Sequence, residues 1–206
     1  MKRNTIFTIL IIAIIGVTIL NFLTIGESEE SYIERIEKER VDRNSYMLSG
    51  SSPLTDEDKR SFEGLKYFDI DPSYKLTARI EEIKNRQPVF IQSTTGEQLK
   101  YIPFAYTTFE LGGKEHKLLL YQDWEERNPN KLSLMFADET SDIETYGGGR
   151  YLDVMYRGTN SVIIDFNNAF NPYCHFNDEF SCPIPPRQNF ITVAVNAGEK
   201  LYKKDY

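Results

Sequence analysis

Near Lys66 the apolar residues of this chain stop recurring at helical spacing and begin to alternate. Tyr74, Leu76, Ala78 and Ile80 fall on one side of an extended segment; so do Leu132, Leu134 and Phe136, and Ile191, Val193 and Val195. Successive strand side chains point to opposite faces, so each run buries one face only when extended. Thr95-Gly96, Gly112-Gly113, Arg157 to Asn160 and Asn196 to Gly198 part the runs. Gly112-Gly113 suits a two-residue hairpin loop, because both central residues of such a turn need positive φ. No helix-length segment lies between the runs, as a parallel crossover would need. The pattern predicts a mainly β fold, an antiparallel sandwich or barrel of about eight or nine strands with one or two short flanking helices.

Residues 5–26 carry no charge and are crowded with Ile, Leu, Val and Phe. At about 1.5 Å per residue they make a helix of roughly 30 Å, enough to cross a hydrocarbon core. That length favours an uncleaved membrane anchor over a cleaved signal peptide, whose apolar region runs to about 7–15 residues. Lys2 and Arg3 keep the terminus cytoplasmic, so Glu27 onward is expected on the exported face, membrane-anchored or secreted and periplasmic.

Residues 27–64 read as a charged helical stalk plus a short helix, and residues 65–206 as the β-domain. In the stalk, Ser31 with Glu34 matches a capping box, and Tyr32, Ile33, Ile36, Val41 and Leu48 form a narrow apolar stripe. Ser49-Gly50-Ser51-Ser52-Pro53 breaks that helix, Thr55 with Asp58 caps the next, and Gly64 stops it.

The 206 residues are 40% hydrophobic and 27% charged, which excludes a disordered tail, and two cysteines are too few for a disulfide-built mini-protein. The net charge is −7 and the body lacks a Lys/Arg stripe, which argues against a nucleic-acid partner and leaves the membrane to the N-terminal segment.

Unusual residues gather between Asp138 and Arg187. Glu144 to Asp153 reads ETYGGGRYLD, where Gly147, Gly148 and Gly149 expose backbone N–H groups and Arg150 adds a fork of donors suited to carboxylate or phosphate. No P-loop follows, and the plain alternative is a turn entering a strand, with Arg150 paired to Asp153 or Asp165. Val162, Ile163, Ile164 and Phe166 read as a buried strand interrupted by Asp165, whose carboxylate needs a partner such as Arg150. Asn167, Asn168, Asn171 and the prolines at 172, 183, 185 and 186 predict a long irregular connection, uncommon without a function or a clamp.

Cys174 and Cys182, the two cysteines of the chain, read first as a disulfide in an oxidising exterior, with a reactive thiol as the sharper alternative. His175 is adjacent to Cys174, and extended neighbours point apart. His116 reads as a core or edge histidine. The Cys and His spacings match no zinc site, and Asp138, Asp142, Glu144 and Asp153 match no calcium loop, so no metal and no cofactor are expected. No nucleophile-elbow or other catalytic motif is present.

The segments SPLT (52–55), GLKYF (64–68), ETYGGGRYLD (144–153), DFNNAFNPYC (165–174), CPIPP (182–186) and AGEK (197–200) stand in an order that resembles the uncharacterised prokaryotic domain-of-unknown-function 1684 family. The resemblance spans about Ser45 to Lys200. It implies no activity, substrate or cofactor. Its pattern carries Tyr146 to Arg150, Asp165, Asn171 and both cysteines, whereas His175 departs from it, a small residue being usual there. Members without an export segment would hold these cysteines reduced.

The expected function is binding of a small polar or anionic ligand at Tyr146, Gly147, Gly148, Gly149, Arg150, Tyr151, Asp165 and Asn171, with the 174–182 loop as one wall. The alternatives are a hydrolase or transferase using Asp165 as base beside Arg150, and a structural or interaction protein of the cell envelope using the stalk.

Overall fold

The computed structural model describes residues 27–202; the apolar 5–26 segment lies outside them, and no described helix is long and apolar enough to cross a membrane. Helix α1 spans Glu29–Met47 and α2 spans Asp56–Arg60. α1 starts one turn before the expected capping box: Ser28 Oγ accepts from Ser31 N–H at 3.2 Å, and Arg35 pairs with Glu27 at 2.8 Å. α2 is capped as its sequence predicts, Thr55 Oγ1 accepting from Asp58 N–H at 3.1 Å and donating to the Asp58 carboxylate at 2.7 Å.

From Ile36 onward the chain forms one compact unit. Its strands are β1 (Lys75–Glu82), β2 (Val89–Gln92), β3 (Gln98–Leu111), β4 (Lys114–Asp123), β5 (Lys131–Asp138), β6 (Arg150–Met155), β7 (Ser161–Asp165) and β8 (Phe190–Ile191). The sheet runs β6-β5-β4-β3-β1-β7, with β2 added to β3 and β8 to β5. All pairings are antiparallel except β5 with β8. The path ends β6 and β7 lie side by side, so the sheet is nearly closed into a barrel. Gly112 and Gly113, with φ of 59° and 71°, turn β3 into β4 as the sequence predicts.

Alternation sets the interior. Ala78, Ile80, Leu118, Leu120, Leu132, Leu134, Phe136, Leu152, Val154, Val162 and Ile164 share one buried cluster. On the other face Ile91, Tyr101, Leu119, Tyr121 and Met135 form a second cluster, which is why β4 reads Leu118-Leu119-Leu120-Tyr121 without a polar interruption. β7 departs from the expectation of a strand buried throughout, because Ile163 is 50% exposed between Val162 and Ile164.

Two irregular pieces complete the sheet. β4 and β5 pair in register only at Tyr121 and Ser133, and the buried Asn189 side chain bridges them elsewhere. It accepts from Leu119 N–H and donates to the carbonyls of Leu119 and Met135, each at 2.8 Å. The strand expected over 191–195 shortens to Phe190–Ile191. Val195 N–H donates to Asp138 Oδ1 at 3.2 Å and its carbonyl accepts from Arg150 at 2.9 Å, so side chains take the backbone groups that a ladder would use.

Candidate functional site

Arg150 opens β6 and is 1% exposed. Its carboxylate partner is Asp138, at the end of β5, with Nη2 to Oδ2 at 2.9 Å, and neither Asp153 nor Asp165. Nη2 also donates to Val195 O, and Nη1 donates to the carbonyls of Ala197 and Glu199. Asp138 Oδ1 accepts from Thr140 N–H at 2.8 Å and from its hydroxyl at 2.7 Å. Burial lowers the Arg150 pKa, and Asp138 opposes the shift. The guanidinium therefore sews the 195–199 segment onto the barrel end.

The glycine triplet has a packing cause. Gly149 has φ +85°, and a Cβ there would come within 2.5 Å of the Phe136 carbonyl and 2.6 Å of Pro185. A Cβ on Gly148 would sit 2.4 Å from the Tyr146 ring. The loop folds close to the barrel and leaves room for Tyr146 over its own backbone.

The other expected ligand residues are likewise engaged. Asp165 Oδ1 caps the following 3-10 turn by accepting from Asn167 N–H at 3.2 Å. The expected Arg150–Asp165 pairing is thus absent, Arg150 being held by Asp138. Tyr151 donates its hydroxyl to Pro183 O at 2.5 Å and pairs its backbone with Phe170. Asn171 is fully buried, donating its N–H to Glu199 Oε2 at 2.8 Å and its amide to Lys200 O at 2.9 Å. Among the acidic residues weighed for a cation, Asp153 pairs with Lys131 at 2.9 Å and Glu144 with Lys200 at 3.0 Å.

Tyr146 lines a cleft of about 730 Å³ together with Thr55, Asp58, Cys174, His175, Phe176, Asn177, Asp178, Glu179 and Tyr202. Its ring lies 4.7 Å from His175, His175 lies 5.0 Å from Phe176, and Phe176 lies 5.6 Å from Tyr202, a continuous aromatic run. Asp58, Asp178 and Glu179 supply carboxylates, and no described lining residue is Lys or Arg. Burial pulls the His175 imidazole down to about 4, and its neutral Nε2 accepts from Tyr202 N–H at 3.1 Å.

The two cysteines stand as free thiols, so the expected disulfide is not formed in this structure. Cys174 N–H donates to Cys182 Sγ at 3.1 Å, and Tyr146 Oη lies 3.8 Å from Cys174 Sγ. The neighbouring Cys182 thiol holds Cys174 down to about 7 against the burial that opposes it, while Cys174 and burial push Cys182 up. His116, as expected, is a structural histidine, 6% exposed with Nε2 at 3.2 Å from Leu111 O.

A second cleft of about 400 Å³ is lined by Glu39, Arg40, Arg43, Tyr67, Lys131, Asp153 and neighbours. Its charges pair with each other, Arg43 with the buried Glu199 at 3.0 Å and Lys131 with Asp153, so it presents little net charge.

Sequence reasoning missed Thr55, Asp58 and Tyr202 as lining residues but set Tyr146 against the 174–182 loop, which carries Cys174 and the run Phe176-Asn177-Asp178-Glu179. Its meeting with α2 depends on contacts distant in sequence.

A family model described as "Protein of unknown function (DUF1684)" matches residues 60–200. The solution NMR structure of an uncharacterized protein from gene locus rrnAC0354 of Haloarcula marismortui is similar at 28% identity and a TM-score of 0.69, over 85% of this chain and 97% of that one. No curated protein matches the chain.

Proposed function

This chain belongs to the DUF1684 family, and from that premise we propose that its β-domain is a binding module for a small organic cation, held in the cleft lined by Tyr146, His175, Phe176 and Tyr202. The supporting observation is the lining itself: four aromatic rings and three carboxylates, with no Lys or Arg among the described lining residues. Aromatic faces attract ammonium groups, most strongly when the cation is desolvated. Carboxylates at the same cleft add Coulomb attraction and oppose an anion. The polar part of the sequence expectation is kept, and its anionic part is replaced by a cationic one. The module is displayed on the exported face, a reading that rests on the apolar residues 5–26 and on Lys2 and Arg3 before them.

The test is thermal unfolding in tetramethylammonium or choline, with phosphate as the opposing probe. A ligand at about 100 times its Kd stabilises by roughly 2.7 kcal/mol, which in a domain of this size raises Tm by about 5–10 °C. The ammonium compounds are expected to raise Tm in the wild type and not in Tyr146→Ala. Stabilisation by phosphate alone, or an equal shift in Tyr146→Ala, refutes the reading.

A further inference from the structure

We propose that Cys174 and Cys182 form a thiol–disulfide exchange site, in which Cys174 attacks a small-molecule disulfide entering from the cleft and Cys182 resolves the product. The two positions are built differently. Cys182 is fixed to the framework: its N–H donates to Thr94 Oγ1 at 3.2 Å, its carbonyl accepts from Thr94 N–H at 2.9 Å, and the next residue, Pro183, bridges to Ser93. Cys174 sits in the short 3-10 turn Tyr173–His175 and lines the cleft. Its sulfur has the Tyr146 hydroxyl at 3.8 Å. Its N–H donates to the sulfur of Cys182 at 3.1 Å, so the resolving sulfur already lies against the backbone of the attacked residue.

Exchange proceeds by attack of a thiolate along a disulfide bond. The Cys174 thiolate forms a bond to one sulfur of R–S–S–R, and the S–S bond breaks to release RS⁻. Cys174 is then a mixed disulfide and no longer an anion beside Cys182. The neighbouring charge that kept Cys182 protonated is gone, so its proton passes to RS⁻. The Cys182 thiolate attacks the Cys174 sulfur, closes the 174–182 disulfide and expels the second RS⁻, which takes a proton from solvent. The protein dithiol loses two electrons, the small disulfide gains two, and excess RSH runs the sequence backwards. The titration of the pair agrees with this division: Cys174 is held near neutrality and Cys182 well above its ordinary range. At pH 7 a thiol titrating at about 7 is half thiolate, against a few per cent for an ordinary one, and after the lower intrinsic nucleophilicity of the more acidic thiolate this favours Cys174 a few-fold. The inference stands on the sulfur pair and does not require the cleft to prefer cations.

The test uses the full chain and 2-hydroxyethyl disulfide, an uncharged probe, so that failure of the cation reading leaves its outcome unaffected. The wild type is expected to close the 174–182 disulfide and release 2-mercaptoethanol, read by peptide mapping. Cys182→Ser is expected to stop at one hydroxyethylthio adduct on Cys174. Cys174→Ser is expected to react a few-fold more slowly and to form no disulfide. Should either variant unfold, limiting iodoacetamide on the native wild type decides: Cys174 is expected to label about tenfold faster than Cys182. Absence of the disulfide in the wild type, or Cys182 labelling first, overturns the proposal.

Discussion

Replacing Arg150 by Met should unfold the barrel end, whatever the ligand. Both charged side chains of the Arg150–Asp138 pair are 1% exposed, and the guanidinium also serves the carbonyls of Val195, Ala197 and Glu199. Removing one partner of a buried pair leaves the other charge uncompensated and typically costs about 3–5 kcal/mol. The orphaned carbonyls add to that, since each buried acceptor left unmade costs on the order of 1 kcal/mol or more. A loss of about 4 kcal/mol is a large share of the roughly 5–15 kcal/mol that holds a domain together, and corresponds to a fall in Tm of about 8–16 °C. Thermal and urea unfolding of the wild type, Arg150→Met, Asp138→Asn and the double variant would form a cycle. The second substitution should cost far less in the background of the first, with a coupling of about 2 kcal/mol or more. If Arg150→Met unfolds within about 1 kcal/mol of the wild type, the guanidinium is not part of the framework and the structural role assigned to it fails.

Four further outcomes are expected. Asn189→Ala should lose about 2–4 kcal/mol in urea unfolding, because the backbone groups of Leu119 and the Met135 carbonyl lose their bridge; a change below about 0.5 kcal/mol would show that β4 and β5 need no such bridge. His175 is held neutral by burial, with its folded pKa near 4 below an unfolded value of about 6.5, so its contribution is complete above pH 6.5 and is lost as pH falls toward 4. That loss amounts to roughly 3 kcal/mol, and comparing His175→Gln with the wild type isolates it from the buried Glu199, whose pKa burial raises; an unchanged acid slope in His175→Gln would contradict the assignment. The alkylation rate of Cys174 should rise with a midpoint near pH 7 in the wild type and move toward the ordinary thiol range in Cys182→Ala, and equal midpoints would deny that Cys182 tunes Cys174. Gly149→Ala should destabilise by about 1–3 kcal/mol or more, from the positive φ and the approach to the Phe136 carbonyl, in a urea titration where a neutral result would remove that explanation of the triplet.

The architecture was legible where one short pattern decides it. Period-two runs placed β1 and β5, a continuous apolar run placed β7, the Gly112-Gly113 pair placed a hairpin, and Thr55 with Asp58 placed α2. What sequence did not reveal depends on partners. Arg150 had several acidic residues within reach, and nothing local selects Asp138 over Asp153 or Asp165; that choice follows from β5 and β6 pairing so that Phe136 lies beside Arg150. The same ion pair takes the backbone of Val195, so an alternating run that reads as a strand over 191–195 keeps only two strand residues. Gly147 to Gly149 look like an anion cradle until the carbonyl of Phe136 and the ring of Tyr146 are seen to fill the space. The cleft draws on residues 55–58, 146, 174–179 and 202, segments that no local pattern connects.

Mapping amide and aromatic NMR shifts of the protein during a titration with tetramethylammonium is the most direct check on the proposed cation cleft. The largest, saturable changes should fall on Tyr146, His175, Phe176 and Tyr202, with Arg150 and Asp165 unmoved. Changes centred on Arg40, Arg43 and Tyr67 in the second cleft, or no saturable change at all, would contradict it.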